Sequence, residues 1–300
     1  MSSLGAPSAV ERTRLLLAVP AGTGPQPDGA ATRSRLARSL APVMERVPAG
    51  DPAVITVATL RRALMEPERL VRPEAPFRWR PAFVRRSLGL AAVEACAAGR
   101  FRAPAQAVGP IADEAVSEWQ RTGWRAFHWE PWLAGLARGA RAVVLADAVG
   151  WASGLWASLD WAVLAPDVRF GGAYDQWTCP GTRTVRLKAR SELRVPLAEP
   201  VSGSGHGQSH ERRTALVSVR SGCPAPGWAD ELAFVALVAG VRSPSHPVPA
   251  RVMGLWLDAG IHRCVEIDAL SIDRVTDRVV ATVGALAEAR LSCRPAPGRP

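Results

Sequence analysis

Glu192, Ser218 and Arg220 are the side chains whose types and spacing could do chemistry: an acid on one apolar-patterned run, and a hydroxyl and a guanidinium two apart on the next. An acid beside a second oxygen donor could hold a divalent cation. The donor set is poor for that task. Ser218 is neutral, and hard cations prefer anionic oxygens. An arginine stays protonated at neutral pH, so Arg220 cannot act as a base as a desolvated lysine can. The simpler expectation is a cross-strand ion pair of Glu192 with Arg220, stabilising a hairpin by about 0.2–1 kcal/mol.

Two strands and a helix must position these groups. In TVRLKARSELRVPL, Val185, Leu187, Ala189, Leu193 and Val195 alternate with Arg186, Lys188, Arg190, Glu192 and Arg194. Successive strand residues point to opposite faces, so this predicts one long strand with an apolar and a charged face. TALVSVRSG predicts a second strand ending at Gly222 and Pro224. Trp228 to Val241 then places Leu232, Phe234, Val235 and Val238 at helical spacing, with Asp230 and Glu231 in the first turn.

This order resembles the core of the PD-(D/E)XK nuclease superfamily, particularly its RecB-like exonuclease branch. RSEL puts Glu192 at the family's first acidic position, VSVRSG puts Ser218 at the second and Arg220 at the lysine, and DELAFVALVAGV resembles the helix that follows. The similarity spans Tyr174 to Leu286. It implies a restriction-endonuclease-like α/β core, but one whose Mg²⁺-binding carboxylate pair and lysine are degenerate. Retained catalysis would need a migrated carboxylate, with Glu231 or Asp175 as candidates and Asp147 on the preceding helical segment, and with Lys188 replacing the lysine. Asp147 pairs more simply with Arg141 or Arg138.

The chain has 300 residues, 48% of them hydrophobic, enough for a sizeable core. No apolar run approaches the ~18 residues of a membrane span, and LLLAV near the start lacks the features of a signal peptide. A cytoplasmic location is the expectation. Five cysteines, widely spaced and without a C-x₂-C pair, argue against zinc, disulfide frameworks and the iron–sulfur cluster of some RecB-like nucleases. The net charge of +10 rests almost wholly on arginine, since Lys188 is the one lysine. Residues 1–100 carry 15 Arg against 8 acids. The excess gathers at FRWRPAFVRR, where Arg78, Trp79, Arg80, Arg85 and Arg86, with Lys188, are the candidate nucleic-acid contacts. Trp79 packed in the core under solvated arginines is the alternative.

Along the chain, Arg14 to Val19 reads as a strand and Ala21 to Thr32 as a Gly/Pro-rich loop. Helical patterns cover Ser34 to Val47, Val57 to Met65, Pro81 to Ala98, Pro104 to Arg121 and Pro131 to Trp161. The insert 201–213 is low-complexity, so its His206 and His210 carry little weight as ligands. Pro249 to Leu257 and His262 to Ile267 read as strands about an Asp258-Ala259-Gly260 turn, followed by a helix from Ser271. The predicted fold is α/β: a helical N-terminal half over residues 1–130, a small mixed sheet with flanking helices over 131–291, and a disordered tail over 292–300. Most of the 11 tryptophans must sit in the core or at an interface. The expected function is that of a catalytically degenerate nuclease-fold protein, a nucleic-acid-binding or scaffolding component in DNA repair or defence. DNA and a protein are the implied partners, no cofactor is needed, and Mg²⁺ enters only if catalysis survives. The alternatives are an active metal-dependent exonuclease and an interaction module without a nucleic-acid role.

Overall fold

A computed structural model describes residues 7–18, 26–47, 52–70, 78–171, 174–180, 185–197, 213–242 and 247–292. The expectations for the insert with His206 and His210, and for the tail beyond Ser292, lie outside them. The helices are α1 (Ala9–Leu17), α2 (Gly29–Met44), α3 (Val57–Met65), α4 (Pro81–Ala97), α5 (Pro104–Thr122), α6 (Glu130–Ala134), α7 (Arg138–Ser158), α8 (Trp161–Leu164), α9 (Trp228–Val241) and α10 (Ala269–Ser292). The strands are β1 (Ala53–Ile55), β2 (Arg169–Phe170), β3 (Asp175–Thr178), β4 (Val185–Ala189), β5 (Leu193–Pro196), β6 (Thr214–Arg220), β7 (Arg251–Trp256) and β8 (Ile261–Glu266). The fold is mixed α/β, helical in its first half and sheet-containing in its second.

The strands form two sheets: a three-stranded one in the order β1-β4-β3 and a five-stranded one in the order β2-β5-β6-β7-β8. β6 and β7 run parallel, while β5–β6 and β7–β8 are antiparallel. Alternation along β6 and β7 divides two cores. Ala215, Val217, Val219, Met253 and Leu255 join α1, α4, α5 and α7 on one face, whereas Leu216, Val252 and Trp256 join α2, α9, α10 and the small sheet on the other. Both faces are therefore covered, and β6 is buried at five successive positions. Helix α9 is buried almost all round, as a helix lying between sheet and helices must be. Its N-terminal Asp230 holds Arg274 and Arg278, each at 2.7 Å.

Several expectations are corrected. The run from Arg14 belongs to α1, not to a strand: Ser8 accepts the Glu11 amide while the Glu11 carboxylate accepts the Ser8 amide at 2.6 Å, and this reciprocal cap starts a helix. The single strand expected over 184–197 is two strands in different sheets. The helix expected over Pro131 to Trp161 is broken into α6, α7 and α8, with Asp160 capping the last through the Ala162 amide. The cores also do not divide the chain at residue 130. Leu36 to Leu70 pack with Trp177 to Ala287, and Val84 to Leu164 pack with Leu193 to Leu255. Of the 11 tryptophans, Trp124 alone is exposed. No helix of the described residues is long and apolar enough to cross a membrane.

Candidate functional site

The step from β4 to β5 builds the site. β4 pairs with β3 as far as Ala189, and the next paired residue, Leu193, already faces Val217 in the other sheet. Arg190, Ser191 and Glu192 cross between them, held by the Gly171 amide on the Glu192 carbonyl at 2.7 Å and the Glu192 amide on the Val217 carbonyl at 2.8 Å. Gly171 is required at this crossing because a Cβ there would lie 2.1 Å from the Ser191 carbonyl oxygen. Its neighbour Gly172, also in the FGGAYD run, lies outside the described residues.

The crossing buries Glu192 completely. A buried carboxylate must be paired and hydrogen-bonded, and its partners are Arg86 from α4, whose Nε lies 2.6 Å from Oε1, and the Val219 amide, 2.6 Å from Oε2. Arg190 adds an ion pair at 3.5 Å. The expected Glu192–Arg220 salt bridge is not the one formed. Long-range Arg86 takes that place because the carboxylate turns toward α4 and the β6 backbone, leaving Arg220 with only a through-space attraction to it.

Arg220 is the anomalous group. Its Nε and Nη2 are shut off from solvent with no hydrogen-bond partner among the described residues. Burial pushes the guanidinium down to about 10, opposed by Glu231 and Glu192 and reinforced by Arg86 and Arg61. It is still a cation at neutral pH. Burial, followed by repulsion from Arg86, likewise lowers the pKa of Arg190. Glu231, 2% exposed, is held by Arg61 in a fork with both N···O distances 2.7 Å. That bond raises the Arg61 pKa.

These cations surround a cavity of about 360 Å³ at the carboxyl ends of β1, β4 and β6. Its wall carries Arg61, Arg86, Lys188, Arg190 and Arg220, and no carboxylate among the described residues. Glu192 and Glu231 lie behind that wall, orienting Arg86 and Arg61. The first turn of α3 completes it. Thr56 caps that helix through the Thr59 amide at 3.2 Å, so Val57 and Ala58 present first-turn amides that no intrahelical carbonyl can take. Ser218 and Ser221 add hydroxyls, and Tyr174, 56% exposed, faces the Arg190 guanidinium with 6.0 Å to the ring centroid.

This donor set does not fit the Mg²⁺ that the nuclease resemblance implies. Both oxygens of Glu192 are engaged by guanidinium or amide donors. The candidate migrated acids are engaged too: Glu231 by Arg61, and Asp175 by Arg242 at 2.5 Å and Arg194 at 3.6 Å. Asp147 is exposed on α7, and Arg141 pairs with Asp113 at 2.6 Å rather than with it. Among the described residues no three His, Cys, Asp or Glu side chains gather to hold a metal ion. Concentrated positive charge behind hydroxyls and amides instead suits an anion.

Of the residues singled out in the sequence, Ser218, Arg220, Arg86 and Lys188 line the cavity and Glu192 supports it. Arg78 and Arg80 are exposed just ahead of α4, Arg85 is half-buried on its first turns, and Trp79 packs against the core shared by α4, α5 and α7. Arg190, Tyr174 and the α3 first turn were not singled out, and Arg61 entered only as one of the arginines of the N-terminal positive excess. Only the Thr56-to-Thr59 capping pattern carried a signal for that turn. No protein-family model, curated protein or solved structure matches the chain.

Proposed function

We propose that the protein is a non-catalytic nucleic-acid-binding component built on a nuclease-type scaffold and acting in the cytoplasm, in DNA repair or defence. One observation carries this reading: the acid at the family's motif position is locked behind a wall of five cations, where a metal-dependent nuclease needs an open anionic pocket. Such a wall repels Mg²⁺ and attracts phosphate. The exposed Arg78 and Arg80 extend the positive surface from the start of α4, whose Arg86 reaches the cavity. Nucleic-acid affinity on this arrangement comes mainly from phosphate neutralisation and carries little base specificity.

The test is binding of a labelled single-stranded DNA across a salt series, with Arg78→Ser, Arg80→Ser and Arg85→Ser combined. The expected result is affinity that falls with salt, with a slope shallower by roughly 0.7 per lost phosphate contact in the variant, and no cleavage when Mg²⁺ or Mn²⁺ is added. Salt-independent affinity, or cleavage abolished by Glu192→Ala, overturns the reading.

A further inference from the structure

We propose that the cavity bounded by α3, β4 and β6 receives a phosphomonoester dianion, the phosphate of a nucleotide either free or at a strand end, with the adjoining base over Tyr174. The inference deepens the nucleic-acid reading and rests on it for the choice of nucleotide, but the phosphate site itself stands on the cavity alone.

Charge selects the ligand. Five wall cations are backed by two carboxylates, Glu192 and Glu231, so the site keeps a positive excess that one monoanionic diester would leave largely unrelieved. A phosphomonoester carries roughly 1.5 to 2 negative charges at pH 7 and three acceptor oxygens. The donors are suited to it: guanidinium forks, the lysine, the Ser221 hydroxyl and the Val57 and Ala58 amides can surround a tetrahedral group from several sides. Arg220 adds to the case through its charge. Its Nε and Nη2 are closed off without a partner among the described residues, and a cation so poorly paired costs stability that an anion in the cavity it lines would offset. The cavity, at about 360 Å³, lies in the range of small-molecule sites, roughly 300–1,000 Å³. Tyr174, exposed at its rim, offers a ring face on which a base can stack.

The experiment measures, at low salt and pH 7, the full chain's affinity for a short single-stranded oligonucleotide carrying a 5′-phosphate, the same strand with a 5′-hydroxyl, thymidine 5′-monophosphate and thymidine. The expected preference for at least one phosphorylated probe, strand or mononucleotide, over its unphosphorylated counterpart is about tenfold or more, the worth of one or two charge-assisted hydrogen bonds. That preference disappears in Arg220→Met and Lys188→Met, and Arg220→Met melts no earlier than the native chain. If Arg220→Met fails to fold, the partly exposed Lys188 carries the test. Competition by the free mononucleotide marks a small-molecule ligand and its absence marks a strand end, and both support the site. Equal binding of the phosphate-ended and hydroxyl-ended strands, each salt-sensitive, overturns the site while leaving nucleic-acid binding intact. Selective mononucleotide binding with no retention of either strand supports the site and overturns the nucleic-acid reading.

Discussion

Two arginines on neighbouring strands of the five-stranded sheet, one buried and one half-buried, are treated in opposite ways. Arg251, 2% exposed at the start of β7, has both terminal nitrogens engaged: Nη1 donates to the Leu15 and Ala18 carbonyls at 2.5 and 2.6 Å, and Nη2 to Glu266 at 2.6 Å. It thereby closes the C-terminal end of α1, satisfying carbonyls that the helix leaves open. Nε is buried without a partner in both, but in Arg220, at the far end of β6, Nη2 too has none among the described residues, and other arginines are its neighbours. The same side chain is a structural clasp in one place and an unsatisfied charge in the other. Fold stability explains the first but not the second, and this difference locates the site.

Four substitutions can break or sharpen that contrast. Arg251→Met strands the α1 carbonyls and should have the largest effect, a loss of about 2–4 kcal/mol in urea denaturation. A loss no larger than that of a surface change would show that the clasp is ornamental. Glu192→Gln removes the counter-charge of Arg86 and Arg190 while keeping an acceptor for the Val219 amide, and is expected to cost about 2 kcal/mol by the same measurement. Arg220→Met should be neutral or stabilising by about 1 kcal/mol, because it removes a buried, poorly paired charge. Strong destabilisation there would make the two arginines alike. The smallest effect concerns Cys264 on β8, close enough to Arg251 to feel its charge. Burial, with help from Glu266 and against Arg251, raises its thiol from 9.0 to about 11. The folded state thus holds the proton more tightly than the unfolded one. The corresponding stability is complete below pH 9 and lost as pH rises from 9 through 11. Cys264→Ala should abolish that alkaline component in a pH series of melts, and at pH 8 alkylation of Cys264 should lag far behind that of the exposed Cys223.

What the sequence disclosed follows from the range of the forces involved. Helices α3, α4, α5 and α9 are legible because their signals are local: a threonine cap, prolines in the first turn, acids at an N-terminus. The pairing of β5 with β6 was legible from alternation. The break at Ser191 was not, because apolar alternation runs on through Ala189, Ser191 and Leu193 without a phase change; only β3 and the Gly171 contact end one sheet and begin the other. β1 and β3, three and four residues long, exist through their pairing with β4 and have no pattern of their own. Glu192 was recognised, but its partner was sought on the adjacent strand. Burial chose Arg86, 106 positions away, just as Glu231 took Arg61 at 170. Charge pairing in an interior depends on three-dimensional neighbours, which spacing along the chain does not encode.

The ribbon that leaves one sheet at Ala189 and enters the other at Leu193 has a mechanical consequence. Ser218 to Ser221 close β6 of one sheet, and Thr56 to Arg61 form the cap and first turns of the helix that follows β1 of the other, so an occupant gripped by both acts as a rivet across the seam. Amide exchange in β4 and β6 should therefore slow in concert when the cavity fills, with the two halves opening as one unit rather than separately.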